Sequence, residues 1–251
     1  MITLMSPREI EVMAQGGRIL ARTLEELRHM VRPGITTKEL DVAAERLVRS
    51  HPSAVPAFKG LYGFPASICT SINEEIVHGI PSPRRVLREG DILKLDLGVK
   101  YEGLYTDAAI TVPVGRIDAL SQRLIEVTQR ALEAGISAAR VGNHIGDIGA
   151  AIDAVVTAAG FTTAADLVGH YVGNKPHGDP QVPNYGIPKH GARLLPGLTI
   201  AIEPMVNAGG PATRTLKDRW TVVTADGSRS AHFEHTVAIT EDGPLVLTRA
   251  D

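Results

Sequence analysis

Apolar residues spaced three and four positions apart predict helices that come in two pairs. The first helix begins at Ser6-Pro7-Arg8-Glu9, where a cap, a proline and a glutamate are typical of a helix start, and its pattern lasts until Pro33-Gly34. Thr36 with Glu39 repeats the capping pattern for a second helix. Two more helical patterns cover residues 119–138 and 142–159. Residues 54–80, rich in glycine, proline and serine, predict loops and short strands.

Between the two pairs of helices, the alternation changes to that of a β-hairpin. Leucines at 93, 95 and 97 alternate with Lys94 and Asp96, which predicts a strand with one buried face. Residues 100–103 predict a turn, and residues 104–112 predict the return strand, which Pro113 ends. With the turn centred between residues 101 and 102, Asp96 directly faces Asp107.

Two carboxylates opposite each other require an explanation, because like charges at paired positions are unfavourable. A divalent cation between Asp96 and Asp107 is the simplest candidate. The alternative is that they are two unrelated surface aspartates.

Two short similarities within the chain suggest a duplicated architecture. Residues 33–43 resemble 142–151, and residues 88–96 resemble 195–203, at nearly equal offsets. Each half then has two helices followed by strands, and one strand in each half ends on an acid, Asp96 or Glu203. We expect one α+β domain over residues 1–251, with pseudo-twofold halves of roughly 1–113 and 114–251. Its central antiparallel sheet would carry helices on the outer side.

Composition restricts the class of protein without defining it. The 251 residues are 43% hydrophobic and 22% charged, with a formal net charge of -2, so direct DNA binding is not expected. The single cysteine, Cys69, excludes an internal disulfide and suits a reducing compartment. Without a signal peptide or an apolar run of membrane-spanning length, the pattern predicts a cytoplasmic protein with no membrane attachment.

The second half supplies further candidate ligands. His170 and His177 lie in a glycine-flanked segment, Glu203 ends a short apolar strand, and Glu234 lies within another. Singly, each has an ordinary structural alternative, as a hydrogen-bonded histidine or a surface carboxylate. Together, four carboxylates and one histidine suit Mn, Fe, Co or Zn, and they suffice for two metals sharing carboxylates.

Five segments in register resemble the short bacterial (type I) methionine aminopeptidases. They are the Asp96/Asp107 hairpin, Gly169-His170, Asn73–Pro81, Ile202–Val206 and Phe233–Thr236. The resemblance covers essentially the whole chain and implies the "pita-bread" fold, a pseudo-twofold α+β domain.

The resemblance also implies a role for each candidate residue. Two divalent ions (Co, Mn, Fe or Zn) would be bridged by Asp107 and Glu234, while Asp96 would hold one ion and His170 with Glu203 the other. Glu203 would also transfer the proton of the attacking water. His78 and His177 would hydrogen-bond the substrate backbone and are therefore expected to be catalytic.

The implied substrate is the N-terminal methionine of nascent polypeptides, followed by a small residue. Leu61, Phe64, Cys69 and Trp220 are candidates for the methionine pocket, although core packing would explain Phe64 and Trp220 almost as well. Leu61 and Pro176 stand where aromatic walls are expected, so the pocket could be wider or shallower.

The remaining expectations concern partners and alternatives. A monomer is expected to act on new chains, at the ribosome or after release. The alternatives are an Xaa-Pro aminopeptidase or prolidase on the same fold, and a protein of this fold without the metal chemistry, such as a non-catalytic binding module or a creatinase-like hydrolase.

Overall fold

The computed structural model describes residues 2–250, and its helices occupy the positions that the apolar spacing predicts. Within this range there are four α-helices: α1 (Pro7–Met30), α2 (Thr37–Arg49), α3 (Ala119–Ala138) and α4 (Ile145–Ala158). A short 3-10 helix covers Leu61–Gly63. None of the helices in the described part of the chain combines the length and apolar character needed to cross a bilayer.

The two predicted helix starts at Ser6 and Thr36 are confirmed as reciprocal capping boxes. Each hydroxyl accepts the backbone N–H of the glutamate three residues on, at 3.3 Å for Glu9 and 3.2 Å for Glu39. Each glutamate in return accepts the backbone N–H of its capping residue. The fourth helix begins three residues later than predicted, because the chain before it forms a β-bridge between His144 and Arg193.

The sheets are built from fifteen short strands among residues 2–250. Nine of them form one antiparallel sheet: β1 (Ala54–Pro56), β2 (Cys69–Ile72), β4 (Ile92–Tyr101), β5 (Leu104–Pro113), β7 (Val168–Tyr171), β8 (Gly178–Pro183), β9 (Thr199–Ile202), β14 (Glu234–Thr240) and β15 (Gly243–Val246). Their order is β1-β4-β5-β14-β9-β7-β8, with β2 paired to β4 and β15 paired to β14.

Two three-stranded sheets, with the orders β13-β10-β6 and β11-β12-β3, complete the β structure. They contain β3 (Glu75–Val77), β6 (Thr162–Thr163), β10 (Met205–Asn207), β11 (Thr213–Thr215), β12 (Val222–Thr224) and β13 (Ser230–His232).

The large sheet separates the helices from the polar candidates. On β4 the leucines at 93, 95 and 97 join a core with residues of α1 and α2, so alternation places Lys94 and Asp96 on the other face. On β14, Val237 joins a second core with residues of α3 and α4, and Glu234 faces away from it. One face of the sheet therefore packs against helices, and the opposite face holds the acids.

The register of the β4–β5 hairpin differs from the prediction by two residues. Asp96 pairs with Ala109, and Asp107 pairs with Gly98, so the two aspartates are diagonal neighbours on one face. The predicted direct pairing was wrong because the turn consists of Glu102 and Gly103, with φ of 47° and 90°. Positive φ at both central residues is typical of the tight type I′ hairpin turn. A shift of two residues preserves the face, which is why both carboxylates still point to the same side.

The internal repeat corresponds to repeated geometry. Gly90 and Gly197, 107 residues apart, both have φ of 91° and precede the strands that lead to Asp96 and Glu203. The bridges that precede α2 and α4 also correspond, as Thr36–Val86 and His144–Arg193. The expectation that both strands end on an acid was wrong for the first half, because β4 continues past Asp96 to Tyr101, whereas Glu203 directly follows β9. Both strands are nevertheless reached by the same local path.

A buried lysine ties the repeats together beneath the acids. Lys94 is 1% exposed, and its Nζ donates to the carbonyl oxygens of Asn73 at 2.7 Å and Ser230 at 2.9 Å. Asn73 precedes β3, and Ser230 begins β13. The ammonium thus links β4 to two segments that approach the same face of the sheet.

The turn predicts opposite effects for two substitutions. Glu102→Asn is expected to raise the free energy of unfolding by about 0.5 kcal/mol, because Asn tolerates positive φ better than Glu. Gly103→Val is expected to lower it by ~1–2 kcal/mol, because a β-branched residue is strained there. Urea titration measures both changes, and an equal loss for both variants would contradict the turn assignment.

Candidate metal centre and apolar pocket

A cavity of about 270 Å³ opens on the face of the sheet that carries the acids. It is lined by all the residues that the sequence nominated as catalytic, metal-binding or substrate-binding: Leu61, Phe64, Cys69, His78, Asp96, Asp107, His170, His177, Glu203, Trp220 and Glu234. The fold thus brings together residues separated by as many as 173 positions (61 to 234).

Three of the four carboxylates are almost completely enclosed. Asp96, Asp107 and Glu234 are 8%, 5% and 3% exposed. The hydroxyl of Thr236 accepts the backbone N–H of Asp107 and donates to its carbonyl oxygen, both at 2.8 Å, which locks β5 against β14. The carboxylates of Asp107 and Glu234 are therefore held on a rigid sheet rather than on loops.

Glu203 follows β9 and is the fourth carboxylate. Its Oε1 lies 3.4 Å from Nε2 of His170, and Nδ1 of His170 donates to the carbonyl oxygen of Tyr171 at 2.9 Å. Because that bond uses the Nδ1 proton, Nε2 of the neutral ring carries a lone pair directed into the cavity. Burial lowers the pKa of His170 to about 4, so the ring is neutral near neutral pH.

Burial of the acids favours their protonated forms. Burial raises the pKa of Asp107 from 3.8 to about 7. Burial, followed by the neighbouring negative charges, raises the pKa values of Asp96, Glu203 and Glu234 well above their ordinary range. Protons or cations must therefore neutralise this cluster in the folded protein.

The donor set fits divalent cations. The ligand atoms of Asp96, Asp107 and Glu234 lie within 4.8 Å of one another, as do those of His170, Glu203 and Glu234. A third such group joins Asp107 and His170 to His177. Oδ1 of Asp96, Oδ1 of Asp107 and Oε1 of Glu234 are buried without a hydrogen-bond partner. Buried, unpartnered carboxylate oxygens at this spacing are what oxygen-preferring divalent ions bind.

An apolar wall continues from the acids. Phe64 and Trp220 meet edge to face, with 5.1 Å between ring centroids, in a cluster that also contains Phe58, Leu61 and Cys69. Pro176, the second position where an aromatic wall was expected, is not among the residues that line the cavity, whereas the ring of Tyr62 is.

Two histidines lie where the polar and apolar parts of the cavity meet. His78 follows β3 with φ of 60°, a strained conformation of the kind found at functional sites. The ring of His177 lies 4.5 Å from that of His170 and 6.0 Å from the stacked ring of Tyr62, measured between centroids. His78 and His177 therefore stand beside the carboxylates and within reach of a molecule in the cavity.

Several residues of the site were not selected from the sequence. The cavity is also lined by Phe58, Tyr62, Val77, Leu167, Val168 and Met205. His232, directly behind Glu203 and Glu234, was missed as well. For His232 a signal existed, since it precedes Glu234 by two positions in a segment where polar residues alternate with Ala231 and Phe233.

The site is a buried cluster of acids and histidines beside an apolar slot, on an α+β fold with two similar halves. This combination defines a metal-dependent hydrolase, and comparison with known proteins identifies its family. The model of Metallopeptidase family M24 matches residues 11–241. The chain belongs to metallopeptidase family M24, among the methionine aminopeptidases.

The relatives agree with the resemblance found in the five motifs, which is thereby confirmed. Methionine aminopeptidase 1 of Bacillus subtilis is 50% identical over 249 residues, covering 99% of this chain and 100% of the relative. The crystal structure of methionine aminopeptidase from Thermotoga maritima is 43% identical, with a TM-score of 0.97, over 99% of this chain and 100% of that one. The predicted pita-bread fold is therefore also confirmed.

A prolidase from Pyrococcus furiosus shares the fold alone. It is 21% identical with a TM-score of 0.81, and the match covers 99% of this chain but 66% of that one. About one third of the prolidase chain therefore lies outside the match.

Metal binding is expected to strengthen as pH rises through about 7, because cations must displace the protons of carboxyl groups with raised pKa values. The raised pKa of Asp107 also makes the stability of the metal-free protein depend on pH. Its stabilising contribution is fully present below the ordinary pKa of 3.8 and is lost as pH rises through about 7. Calorimetric melting of the chelated protein with and without Mn²⁺ measures the difference. The gain in Tm caused by Mn²⁺ should grow between about pH 5.5 and pH 7.5, and a constant gain would contradict the role of the acids.

Proposed function

We propose that this chain hydrolyses the N-terminal methionine from new polypeptides in a metal-dependent reaction, and that it prefers a small second residue. The observation that carries the proposal is the continuity of one cavity, in which a cluster of acids and histidines adjoins an apolar slot. An exopeptidase needs this combination, because the side chain of the first residue must be held while the next peptide bond reaches the reacting groups.

Two divalent ions, drawn from Co, Mn, Fe and Zn, are the proposed cofactors. Asp107 and Glu234 would be shared between them, Asp96 would bind one, and His170 with Glu203 would bind the other. The two groups of ligand atoms that have Glu234 in common support this arrangement. When bound, such ions lower the pKa of coordinated water and polarise a carbonyl group.

Glu203 is the proposed proton carrier. Its side chain is 12% exposed, so it reaches the cavity while remaining in surroundings that raise its pKa. A carboxylate of raised pKa accepts a proton from water and returns it to the leaving amine near neutral pH.

His78 and His177 are the proposed substrate-binding histidines. Both line the cavity, and neither belongs to the pair of ligand groups that share Glu234. Their N–H groups would bind the substrate backbone and stabilise charge that develops on the carbonyl oxygen.

Leu61, Phe64, Cys69 and Trp220 are proposed to hold the methionine side chain. Apolar and aromatic atoms with a polarisable sulfur suit an unbranched thioether. Neither Leu61 nor Pro176 supplies the aromatic ring expected at its position, and Pro176 does not line the cavity. The slot is therefore proposed to tolerate some variation in the first residue.

At the level of the whole chain, residues 1–251 are proposed to form one catalytic domain with halves of roughly 1–113 and 114–251. It would act as a monomer on nascent chains, at the ribosome or after release. A proline-directed peptidase remains the second candidate because the prolidase shares the fold.

A panel of four peptides tests the reaction and its specificity. Met-Ala-Ser, Met-Lys-Ser, Leu-Ala-Ser and Ala-Pro-Ser are incubated after chelation and after separate addition of Mn, Co, Fe or Zn. Metal-restored cleavage of Met-Ala-Ser, with little cleavage of Met-Lys-Ser, is expected. Cleavage of Leu-Ala-Ser as well would show a widened slot, whereas cleavage of Ala-Pro-Ser alone would favour the second candidate.

Two substitutions separate metal binding from substrate binding. Asp107→Asn is expected to lose metal and activity together, because it removes a shared ligand. His177→Ala should keep its metal while kcat falls by about 10²-fold or more. Calorimetric metal titration and peptide hydrolysis measure both properties, with the exposed Asp242→Asn and His29→Ala as matched controls. A fully metallated, active Asp107→Asn protein, or a metal-free His177→Ala protein, would contradict the assignment.

A further inference from the structure

His232 is a buried polar side chain that the proposed reaction does not use. The residue is 1% exposed, and neither ring nitrogen has a hydrogen-bond partner. A buried imidazole without partners is costly and requires an explanation. Because the residues that line the cavity include Glu203 and Glu234 but not His232, the ring lies behind these two carboxylates.

The ring nitrogen nearest the acids is Nε2. It lies 3.6 Å from Oε2 of Glu203 and 3.9 Å from Oε2 of Glu234. The other oxygen of Glu203, Oε1, faces Nε2 of His170 at 3.4 Å. Glu203 is thus flanked by two histidines, one beside the cavity and one beneath it.

The backbone fixes the ring in this position. The hydroxyl of Thr111 accepts the backbone N–H of His232 at 2.9 Å and donates to its carbonyl oxygen at 2.7 Å. His232 also pairs with Met205, two residues after Glu203, in the β10–β13 ladder. The imidazole and the carboxylate therefore lie on neighbouring, hydrogen-bonded segments.

We infer that His232 is a positioning residue for Glu203: its Nε2–H donates to Oε2 and would thereby present Oε1 to a cation held by Glu203 and His170. With a cation bound, Glu203 would be a carboxylate, which only accepts hydrogen bonds, so the nitrogen that faces it must then carry the proton. A contact of 3.6 Å shortens readily when a bound cation fixes the carboxylate, since hydrogen bonds at catalytic sites are often long before ligands bind. Partners behind metal ligands commonly change metal affinity by 10–100-fold.

This inference rests on the proposed function, because it concerns one of the proposed metal ligands. Its test is a comparison of metal affinity among variants. It is therefore distinct from the question of whether the wild-type protein cleaves Met-Ala-Ser. If the wild type binds Co²⁺ but cleaves no peptide, the proposed function fails while the comparison still decides the role of His232.

The experiment titrates chelated His232→Leu, His232→Gln and wild-type protein with Co²⁺ by calorimetry. Leucine removes the donor, whereas glutamine keeps an N–H group at similar reach. The Kd of His232→Leu is expected to rise 10–100-fold, and that of His232→Gln to stay within about 3-fold of wild type. The pH profile of kcat for Met-Ala-Ser should shift in His232→Leu and recover in His232→Gln, because the donor acts on the proton carrier.

His235→Leu is the matched control. This histidine is also largely enclosed, but its Nδ1 contacts Oγ1 of Thr248 at 2.9 Å on the opposite face of β14. Its loss should lower Tm and leave the Kd for Co²⁺ unchanged. If His232→Leu does not fold, His232→Asn replaces it, because the shorter amide withdraws the donor while keeping polarity.

Two outcomes would overturn the inference. An unchanged Kd for Co²⁺ in folded His232→Leu, or in His232→Asn, would show that the ring does not orient Glu203. An equal loss of affinity in His232→Gln and His232→Leu, with a changed visible spectrum of bound Co²⁺ in His232→Gln, would show that the imidazole itself is a ligand.

Discussion

Repulsion among enclosed carboxylates is the interaction on which this structure depends. Asp96, Asp107 and Glu234 are held on β4, β5 and β14, and Glu203 follows β9, so the sheet cannot relax to separate them. Burial raises the pKa values of all four, and neighbouring negative charges add to this effect at Asp96, Glu203 and Glu234. The sheet is therefore stable without cations only to the extent that protons neutralise the acids. A scaffold of this kind stores unfavourable electrostatic energy that binding of divalent ions releases.

The duplicated architecture explains how one face acquires ligands from distant parts of the chain. Equivalent turns at Gly90 and Gly197 lead to equivalent strands, and each strand delivers an acid to the centre of the sheet. The halves are not chemically equal, however. The first contributes Asp96 and Asp107, whereas the second contributes Glu203, Glu234 and His170. The ligand atoms grouped around Asp96, Asp107 and Glu234 are all oxygens, whereas the group of His170, Glu203 and Glu234 includes a ring nitrogen.

Periodicity and local motifs predicted much of the fold and the content of the site. The helix starts at Ser6 and Thr36 follow from adjacent residues, and the face of Asp96 follows from strict alternation. The register of the hairpin did not follow, because the position of a two-residue turn depends on backbone conformation at Glu102 and Gly103. His232 was also missed, because the role of a buried histidine depends on which acids another strand places beside it. Roles that depend on tertiary contact between separate strands cannot be obtained from spacing along one strand.

The lysine beneath the site has a consequence for chemical labelling. Nζ of Lys94 donates hydrogen bonds to the carbonyl oxygens of Asn73 and Ser230, and the residue is 1% exposed. An acylating reagent can reach this nitrogen only after the strands around it separate, whereas exposed lysines react from the folded surface. The rate of acylation at Lys94, followed by mass spectrometry, therefore measures how often the strands around it separate. The measurement needs neither a substrate nor a metal.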